Sequence, residues 1–257
     1  MSATPAAAPR VALFATCLVD LFRPSVGLAA VKLLEDAGCR VEYPVQTCCG
    51  QPAFNGGDRG NAVALARQAV TALEGYEYVV VPSGSCAGMI RRHYPDLLAD
   101  DPSLAETARA VAARTHELTA FLVDVMEVRH VEATYPAKAA YHDSCSCLRD
   151  MGVRDQPRTL LASVAGLTVL EIPDGEACCG FGGTFAVKYG EISGEMARRK
   201  AAAVSETGAS VLLAADLGCL FNIAGRLKRE GSDVEVRHVA EVLAGLNAQP
   251  AIGEGEK

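Results

Sequence analysis

Eight of the ten cysteines in this sequence of 257 residues fall into two sets with nearly the same spacing. Each set has a single cysteine, then an adjacent pair followed by glycine, then another single cysteine. The first set is Cys17, Cys48, Cys49 and Cys86, and the second is Cys145, Cys178, Cys179 and Cys219. Matching members lie 128 to 133 residues apart, so the sequence predicts a tandem duplication of one cysteine-bearing unit.

Four thiolates held together can bind a metal centre. They suit an iron–sulfur cluster, for which we favour [4Fe-4S] with one cluster in each unit, and they also suit zinc in one of the units. The alternatives are disulfides, which a reducing compartment disfavours, and buried free thiols, which are common singly but not as a repeated set. We therefore predict that all eight cysteines are metal ligands, and we assign no catalytic residue.

Three further residues could contribute to these sites. Cys39 has no counterpart in the second unit, and we interpret it as a small buried hydrophobic residue. Cys147 lies two residues after Cys145 and could be a spare ligand or a packed thiol. His142 could donate a hydrogen bond to a cluster sulfur or relay a proton, or it could cap a helix or be satisfied in the core.

The cysteines follow short apolar runs that are typical of buried strands. Strands are predicted at residues 11–15, 39–43, 78–81, 137–141, 167–172, 211–214 and 234–237, and helices at 25–36, 62–73, 191–204 and 239–246. This alternation predicts an α/β fold, a tandem of Rossmann-like units with largely parallel sheets. Since ligands gather beyond the carboxyl ends of such strands, each set of thiols should converge there, in the loops.

The repeat also predicts the domain boundaries. We expect a disordered tail over residues 1–9, a first unit over 10–130, a second unit over 131–247 and a mobile tail over 248–257. The closing segments 118–122 and 239–243 match at an offset of 121, which is shorter than the offset of the last cysteines. The first unit should therefore contain an insertion, which we place at residues 94–103.

The composition disfavours several classes of function. The formal net charge is −7 and there is no long basic run, so we do not expect nucleic acid or anionic membrane surfaces as partners. No stretch approaches the ~18 apolar residues of a spanning helix, and no export signal is recognisable, so we expect a cytoplasmic location. The glycine-rich loop 180–183 lacks the spacing of a nucleotide-binding motif. The short basic run 197–200 is expected on a solvated helix face.

The cysteine spacing resembles the CCG cysteine-rich domain pair found in the heterodisulfide reductase family and in the glycolate oxidase iron–sulfur subunit. Four segments more specifically resemble the lactate utilisation protein A family: CCGQPA at 48–53, CCGFGGTF at 178–185, EISGEM at 191–196 and HVAEVL at 238–243. The reductase pattern ends each motif in Cys-x-x-Cys, whereas Met89 and Asn222 occupy the last position here. This departure favours a cluster with four cysteine ligands.

The resemblance implies an iron–sulfur electron-transfer subunit that oxidises L-lactate to pyruvate together with sister iron–sulfur and lactate utilisation subunits. Within such a lactate dehydrogenase complex the chain would be non-catalytic or co-catalytic, and the eight matching cysteines would ligate the clusters. Two other interpretations stay open. One is a cluster-dependent thiol–disulfide reductase, and the other is a zinc-held interaction scaffold without a redox role.

Overall fold

The computed structural model describes residues 8–254, which form two four-stranded, fully parallel sheets. The first has the order β2-β1-β3-β4, with β1 at Arg10–Leu13, β2 at Arg40–Glu42, β3 at Tyr78–Val81 and β4 at Thr115–Glu117. The second has the order β6-β5-β7-β8, with β5 at Thr134–Tyr141, β6 at Ala165–Glu171, β7 at Val211–Ala214 and β8 at Glu235–His238. The shared topology confirms the predicted α/β duplication.

The strand register repeats as well. Val11 of β1 lies opposite Val41 of β2, and the matching Ala139 of β5 lies opposite Val169 of β6. We keep the names first unit and second unit for the parts of the chain up to and after residue 130.

Helices connect the strands in both units. Those of the first unit are α1 (Cys17–Phe22), α2 (Pro24–Asp36), α3 (Gln51–Asn55), α4 (Arg59–Leu73), α5 (Gly84–Gly88), α6 (Tyr94–Leu97), α7 (Ala105–Ala113) and α8 (Leu118–Ala120), with π-helical turns at Met89–His93 and Phe121–Val125. Those of the second unit are α9 (Asp155–Leu161), α10 (Thr184–Lys188), α11 (Gly190–Glu206), α12 (Leu217–Arg229) and α13 (Val239–Leu243), with a π-helical turn at Cys147–Met151.

Four of the cysteines lie in the first turns of helices, and not in loops as predicted. Cys17 begins α1, Cys86 lies in α5, Cys219 lies in α12, and Cys145 begins the helical turn that continues into Cys147–Met151. The reason in α5 is an N-cap, because the Ser83 hydroxyl accepts a hydrogen bond from the Cys86 N–H directly after β3. The strand therefore passes into the helix with almost no loop.

The first unit is longer between its last two strands. The chain forms α5, a π-helical turn, α6 and α7 between β3 and β4, whereas α12 alone fills the matching interval between β7 and β8. The extra segment includes the predicted insertion at residues 94–103.

One hydrophobic core is shared by both units. Val11 and Leu13 of β1 face this shared core, and Ala12 and Phe14 face a second core whose buried members all belong to the first unit, as the two-residue period of a strand requires. Across the shared core α2 packs on α13, and the matching helix α9 packs on α8. Because exchanging the units converts one contact into the other, the units are related by an approximate two-fold axis.

Residues 249–253 return to the second sheet. The Ile252 N–H donates to the Val236 carbonyl at 2.8 Å, and both Ala251 and Ile252 are buried. This packing differs from the mobile tail that the sequence predicted over residues 248–257. Most of the tail predicted over residues 1–9 lies outside the described residues. Between residues 8 and 254, no helix is both long enough and apolar enough to cross a lipid bilayer.

Candidate metal centres

The cysteines lie where each sheet reverses its strand order. In the first sheet the reversal falls between β1 and β3, and Cys17 and Cys86 follow these strands. In the second sheet it falls between β5 and β7, which Cys145 and Cys219 follow in the same way. The crevice at such a point is the usual ligand site of an open α/β sheet. The two adjacent cysteine pairs reach it from the loops after β2 and β6.

The structure brings the eight predicted cysteines together as two sets of four. In the first set Cys49 Sγ lies 3.2 Å from Cys86 Sγ, and Cys48 is hydrogen-bonded to Cys17 and Cys49. The second set repeats these contacts. Its side-chain hydrogen bonds connect Cys145 with Cys178, Cys178 with Cys179, and Cys179 with Cys219. All ten cysteines are free. Their role as ligands stays a prediction.

A glycine after each cysteine pair makes this convergence possible. Gly50 has φ 84° and Gly180 has φ 85°, a conformation that a residue with a Cβ rarely adopts. Each turn aims its own N–H at a sulfur, since Gly50 and Gly180 donate to Sγ of Cys48 and Cys178 at 3.4 Å. Backbone N–H groups therefore stabilise negative charge on the sulfur in both sets.

A side chain from a neighbouring helix fixes the second cysteine of each pair. The Tyr94 hydroxyl donates to the Cys49 carbonyl at 2.9 Å, and the Asn222 amide donates to the Cys179 carbonyl at 2.8 Å. Asn222 is one of the residues that replace the last cysteine of the reductase pattern, so here the position supports a ligand backbone. The sequence predictions had assigned it no such role.

The electrostatics of each set favour a bound cation. Hydrogen bonds from Cys17 and Cys49 lower the pKa of Cys48 to about 2, and those from Cys145 and Cys179 lower the pKa of Cys178 to about 2. The same contacts and burial raise the pKa of their donors. Each set thus keeps a thiolate but resists losing further protons unless positive charge is supplied. Four sulfur donors of this kind fit an iron–sulfur cluster or a zinc ion.

His142 is a buried group at the second set. It is 1% exposed, and within residues 8–254 neither ring nitrogen has a hydrogen-bond partner. Its ring nitrogen and the sulfur atoms of Cys179 and Cys219 all lie within 4.8 Å of one another. Burial lowers the pKa of His142 to about 3, so the ring is neutral. Among the roles that the sequence left open for His142, this geometry favours a hydrogen bond to the metal centre over a capping or core-satisfied histidine.

Lys200 lies at the same set and differs from its prediction. It is 2% exposed, whereas its neighbours Arg198 and Arg199 are exposed and pair with Glu195. The Lys200 ammonium donates to the carbonyls of Asp174 and Gly175 at 3.1 Å each and so holds the loop that leads to the second cysteine pair. The basic run suggested a solvated face. The apolar spacing of the same helix could have shown that position 200 faces inward.

The two remaining cysteines lie apart from these contacts. Cys39 is buried in the shared core, in line with its interpretation as a small hydrophobic residue. The Cys147 side chain is also buried and packs directly against Gly84 of the first unit, where it leaves no room for a Cβ. Its N–H donates to the Ser144 hydroxyl. Cys147 therefore contributes to the contact between the units.

The cavities at the two thiol sets are lined by residues of both units. Asp216 is buried, and its carboxylate accepts a hydrogen bond from the Ser85 N–H at 2.9 Å and a longer one from the Ser83 hydroxyl at 3.4 Å. Five residues line the cavities at both sets: Gln51, Ser85, Phe181, Gly183 and Asp216. The two sites therefore share part of their lining. No repeat in the sequence indicated this arrangement.

Known proteins share both the cysteine pattern and the fold. The CCG cysteine-rich domain family matches residues 11–91 and 139–224, and each stretch contains one complete set of four cysteines. Lactate utilization protein A of Bacillus subtilis is 50% identical over 235 residues, which cover 91% of this chain and 98% of that protein. Lactate utilization protein A 2 of Bacillus mycoides is 49% identical over the same coverage.

A solved structure of a hypothetical protein from Helicobacter pylori is similar in fold, with a TM-score of 0.67 at 12% identity. The match covers 98% of this chain and 50% of that one. The sequence matches confirm the resemblance seen in the motifs. The chain therefore belongs to the CCG cysteine-rich domain family and, within it, to the lactate utilization protein A group.

Proposed function

We propose that this chain is an iron–sulfur electron-transfer subunit that acts in lactate utilisation, with one [4Fe-4S] cluster held by each set of four cysteines. The observation that carries the proposal is the duplicated four-thiol geometry, in a chain whose relatives are named for lactate utilisation. A bound cluster supplies reversible one-electron transfer.

The residues of this chain hold and shield the clusters. The eight cysteines bind as thiolates, and the N–H groups of Gly50 and Gly180 offset part of their negative charge. Phe181 places an apolar ring in the lining of both cavities. Two neighbouring one-electron sites suit the stepwise removal of the two electrons that the oxidation of a 2-hydroxy acid releases.

The substrate chemistry belongs to partner subunits. Removing hydride or a proton from the α-carbon of L-lactate needs a hydride acceptor or a positioned base. Neither thiol set presents a clamp for the substrate carboxylate, so we assign that step to sister subunits of a lactate-oxidising complex. The abundance of free cysteines suits a reducing compartment, and we place the complex in the cytoplasm.

A zinc ion in the second unit is the alternative that one observation favours. His142, Cys179 and Cys219 lie close enough together to bind a single ion, and one more cysteine would complete a Cys3His site. Zinc there would leave the chain with one redox centre, whose role would be to accept or donate single electrons without a second carrier.

Metal analysis tests the assignment. We expect anaerobically purified protein to contain about eight iron and eight sulfide per chain, and the double variant Cys178→Ser, Cys179→Ser to keep about half. Cys39→Ala is the matched control, because it removes a buried thiol outside both sets and should leave the iron unchanged. Stoichiometric zinc with half the iron would support the zinc alternative, and loss of all iron from a folded double variant would show that the units share one centre.

Activity with and without partners tests the division of labour. We expect the isolated iron-loaded chain to form no pyruvate from L-lactate with an artificial electron acceptor, and the chain to be required when the sister subunits are added. Full-rate lactate oxidation by the isolated chain, abolished by Cys178→Ser, would place the active site in this chain.

A further inference from the structure

Two positions beside the thiol sets differ in chemistry between the units. The Phe14 N–H donates to the Val80 carbonyl, and the His142 N–H donates to the matching Leu213 carbonyl. His142 of the second unit therefore takes the place of Phe14 in the first. Both side chains are buried, but the imidazole is polar and the phenyl ring is not.

The second difference lies on the helix after each cysteine pair. The buried positions of α4 are 62, 66, 69, 70 and 73, and those of α11 are 193, 197, 200, 201 and 204. Each buried position of α11 follows its counterpart in α4 by the same number of residues. The glycine contacts agree with this alignment of the two helices, since Gly50 lies against Leu65 and Gly180 lies against Met196. Lys200 therefore takes the place of Ala69.

We propose that the second centre has a higher reduction potential than the first, so that the first electron to enter the chain resides on the second centre. This inference rests on the proposed function, because it assumes an iron–sulfur cluster in each unit. Reduction adds one negative charge to a cluster. A buried ammonium group and an imidazole N–H beside the cysteines of the second set would stabilise that charge, whereas Ala69 and Phe14 would not.

The positions of the two groups suit this role. Lys200 and Cys178 line the same cavity, and the ammonium is held there by two carbonyl groups. Burial lowers the pKa of Lys200, and the Asp174 carboxylate and the thiolates oppose this shift and favour the charged form. His142 carries an otherwise unused ring N–H close to Cys179 and Cys219.

The electron balance is simple. With a cluster bound in each unit, one electron would leave the reduced first centre, which would become oxidised, and enter the oxidised second centre, which would become reduced. No bond forms and no proton needs to move. Because Ser85 and Asp216 line the cavities at both sets, the two sites are neighbours and the transfer stays within the chain.

Redox titration followed by electron paramagnetic resonance tests the order of the potentials. Dithionite is added anaerobically to the iron-loaded chain, and the two signals are assigned with the double serine variants of Cys48 with Cys49 and of Cys178 with Cys179. We expect the potential of the second centre to lie at least about 59 mV above that of the first, which is a tenfold equilibrium constant for moving one electron from the first centre to the second.

Three variants test the cause. Lys200→Met removes the charge, and His142→Phe copies the first unit, so each should lower the second potential and leave the first unchanged. Arg198→Ala is the control, because it removes an equal charge from the exposed face of the same helix. If Lys200→Met fails to retain iron in the second unit, His142→Phe decides the test.

The possible failures can be told apart. A chain that binds no iron would refute the proposed function and this inference together. Iron in both units with the first centre reduced first would refute the inference alone. A second potential that neither Lys200→Met nor His142→Phe changes would do the same.

Discussion

Cys48 and Cys178 hold the same position in the two thiol sets, and neighbouring thiols keep both as thiolates. Each accepts hydrogen bonds from two cysteines and from the N–H of the glycine two residues later. The next cysteine of each pair is buried and keeps its proton until a metal supplies positive charge. One thiolate in each set is therefore prepared to make the first bond to a metal.

Glu117 gives a prediction about pH. Burial raises the pKa of this carboxyl to about 7, and its Oε2 accepts hydrogen bonds from Thr119 and Ala120. Since the folded pKa lies above the ordinary value of 4.5, the stability this group contributes is fully present below pH 4.5 and is lost as the pH rises through 7. Glu117→Gln mimics the neutral form and should gain about 3 kcal/mol over the original protein between pH 4.5 and pH 8.

Unfolding of the iron-loaded proteins at several pH values checks this prediction. Glu106→Gln on the exposed side of α7 is the control for the change in charge alone. A Glu117→Gln effect that does not vary with pH would mean that the buried carboxyl ionises like an exposed one.

The residue types at the sites were predictable only in part. The eight cysteines were predicted because both their type and their spacing repeat. Lys200 and His142 were harder, because their importance depends on burial, and burial of a polar side chain depends on which helices cover it. Asp216 carried no signal either, since its partner Ser85 lies in the other unit.

Among the elements, the two turns after the cysteine pairs differ in how closely they are packed. A Cβ at Gly180 would lie 2.8 Å from the Ser193 carbonyl oxygen, whereas at Gly50 the nearest atom, in Leu65, would be 3.3 Å away. The left-handed conformation costs an alanine about 1–2 kcal/mol at either position. The contact with α11 adds a clash only in the second unit.

We therefore expect Gly180→Ala to lose most of the iron of the second centre, and Gly50→Ala to lose less of the first. Iron per chain and the two paramagnetic signals measure this difference. Equal retention in the two variants would show that the chain relaxes around the added methyl group.

Element prediction succeeded where the apolar pattern was long and failed where it was short. β3 and β7 were predicted with their full bounds, because each is a run of four mostly buried residues. β4 was missed, since it has only three residues and a histidine at its centre. α1 and α5 were taken for loops, because the polar residue before each of them looks like part of a turn until its capping hydrogen bond is known.

In the whole molecule, a buried ion pair joins the units. Arg23 at the start of α2 contacts Glu241 of α13 at 2.8 Å, with side chains 11% and 0% exposed. Ser25 also donates to Glu241, and Arg23 donates to the Pro250 carbonyl. This ion pair lies next to the contact between α2 and α13, at the edge of the shared core.

Arg23→Ala should lower the free energy of unfolding by about 3–5 kcal/mol, because it leaves the buried Glu241 carboxylate uncompensated. Arg10→Ala is the control, because it breaks a more exposed ion pair within the first unit, with side chains 43% and 26% exposed, and it should change stability less. Denaturation of the iron-loaded proteins compares them, and adding Glu241→Gln to Arg23→Ala should restore part of the loss. Equal effects of Arg23→Ala and Arg10→Ala would mean that the inter-unit pair is solvated.

Ser83 and Asp216 are matching residues that meet near the approximate two-fold axis. A dimer of two identical subunits would place the same residue at both positions, and its two metal sites would be identical too. Fusion of the units into one polypeptide removes that restriction. A mutation such as the one that separates Lys200 from Ala69 can then change one site while the other is inherited unaltered. Gene fusion therefore allows two formerly equivalent sites to diverge, which is the condition for electrons to move preferentially from one site to the other.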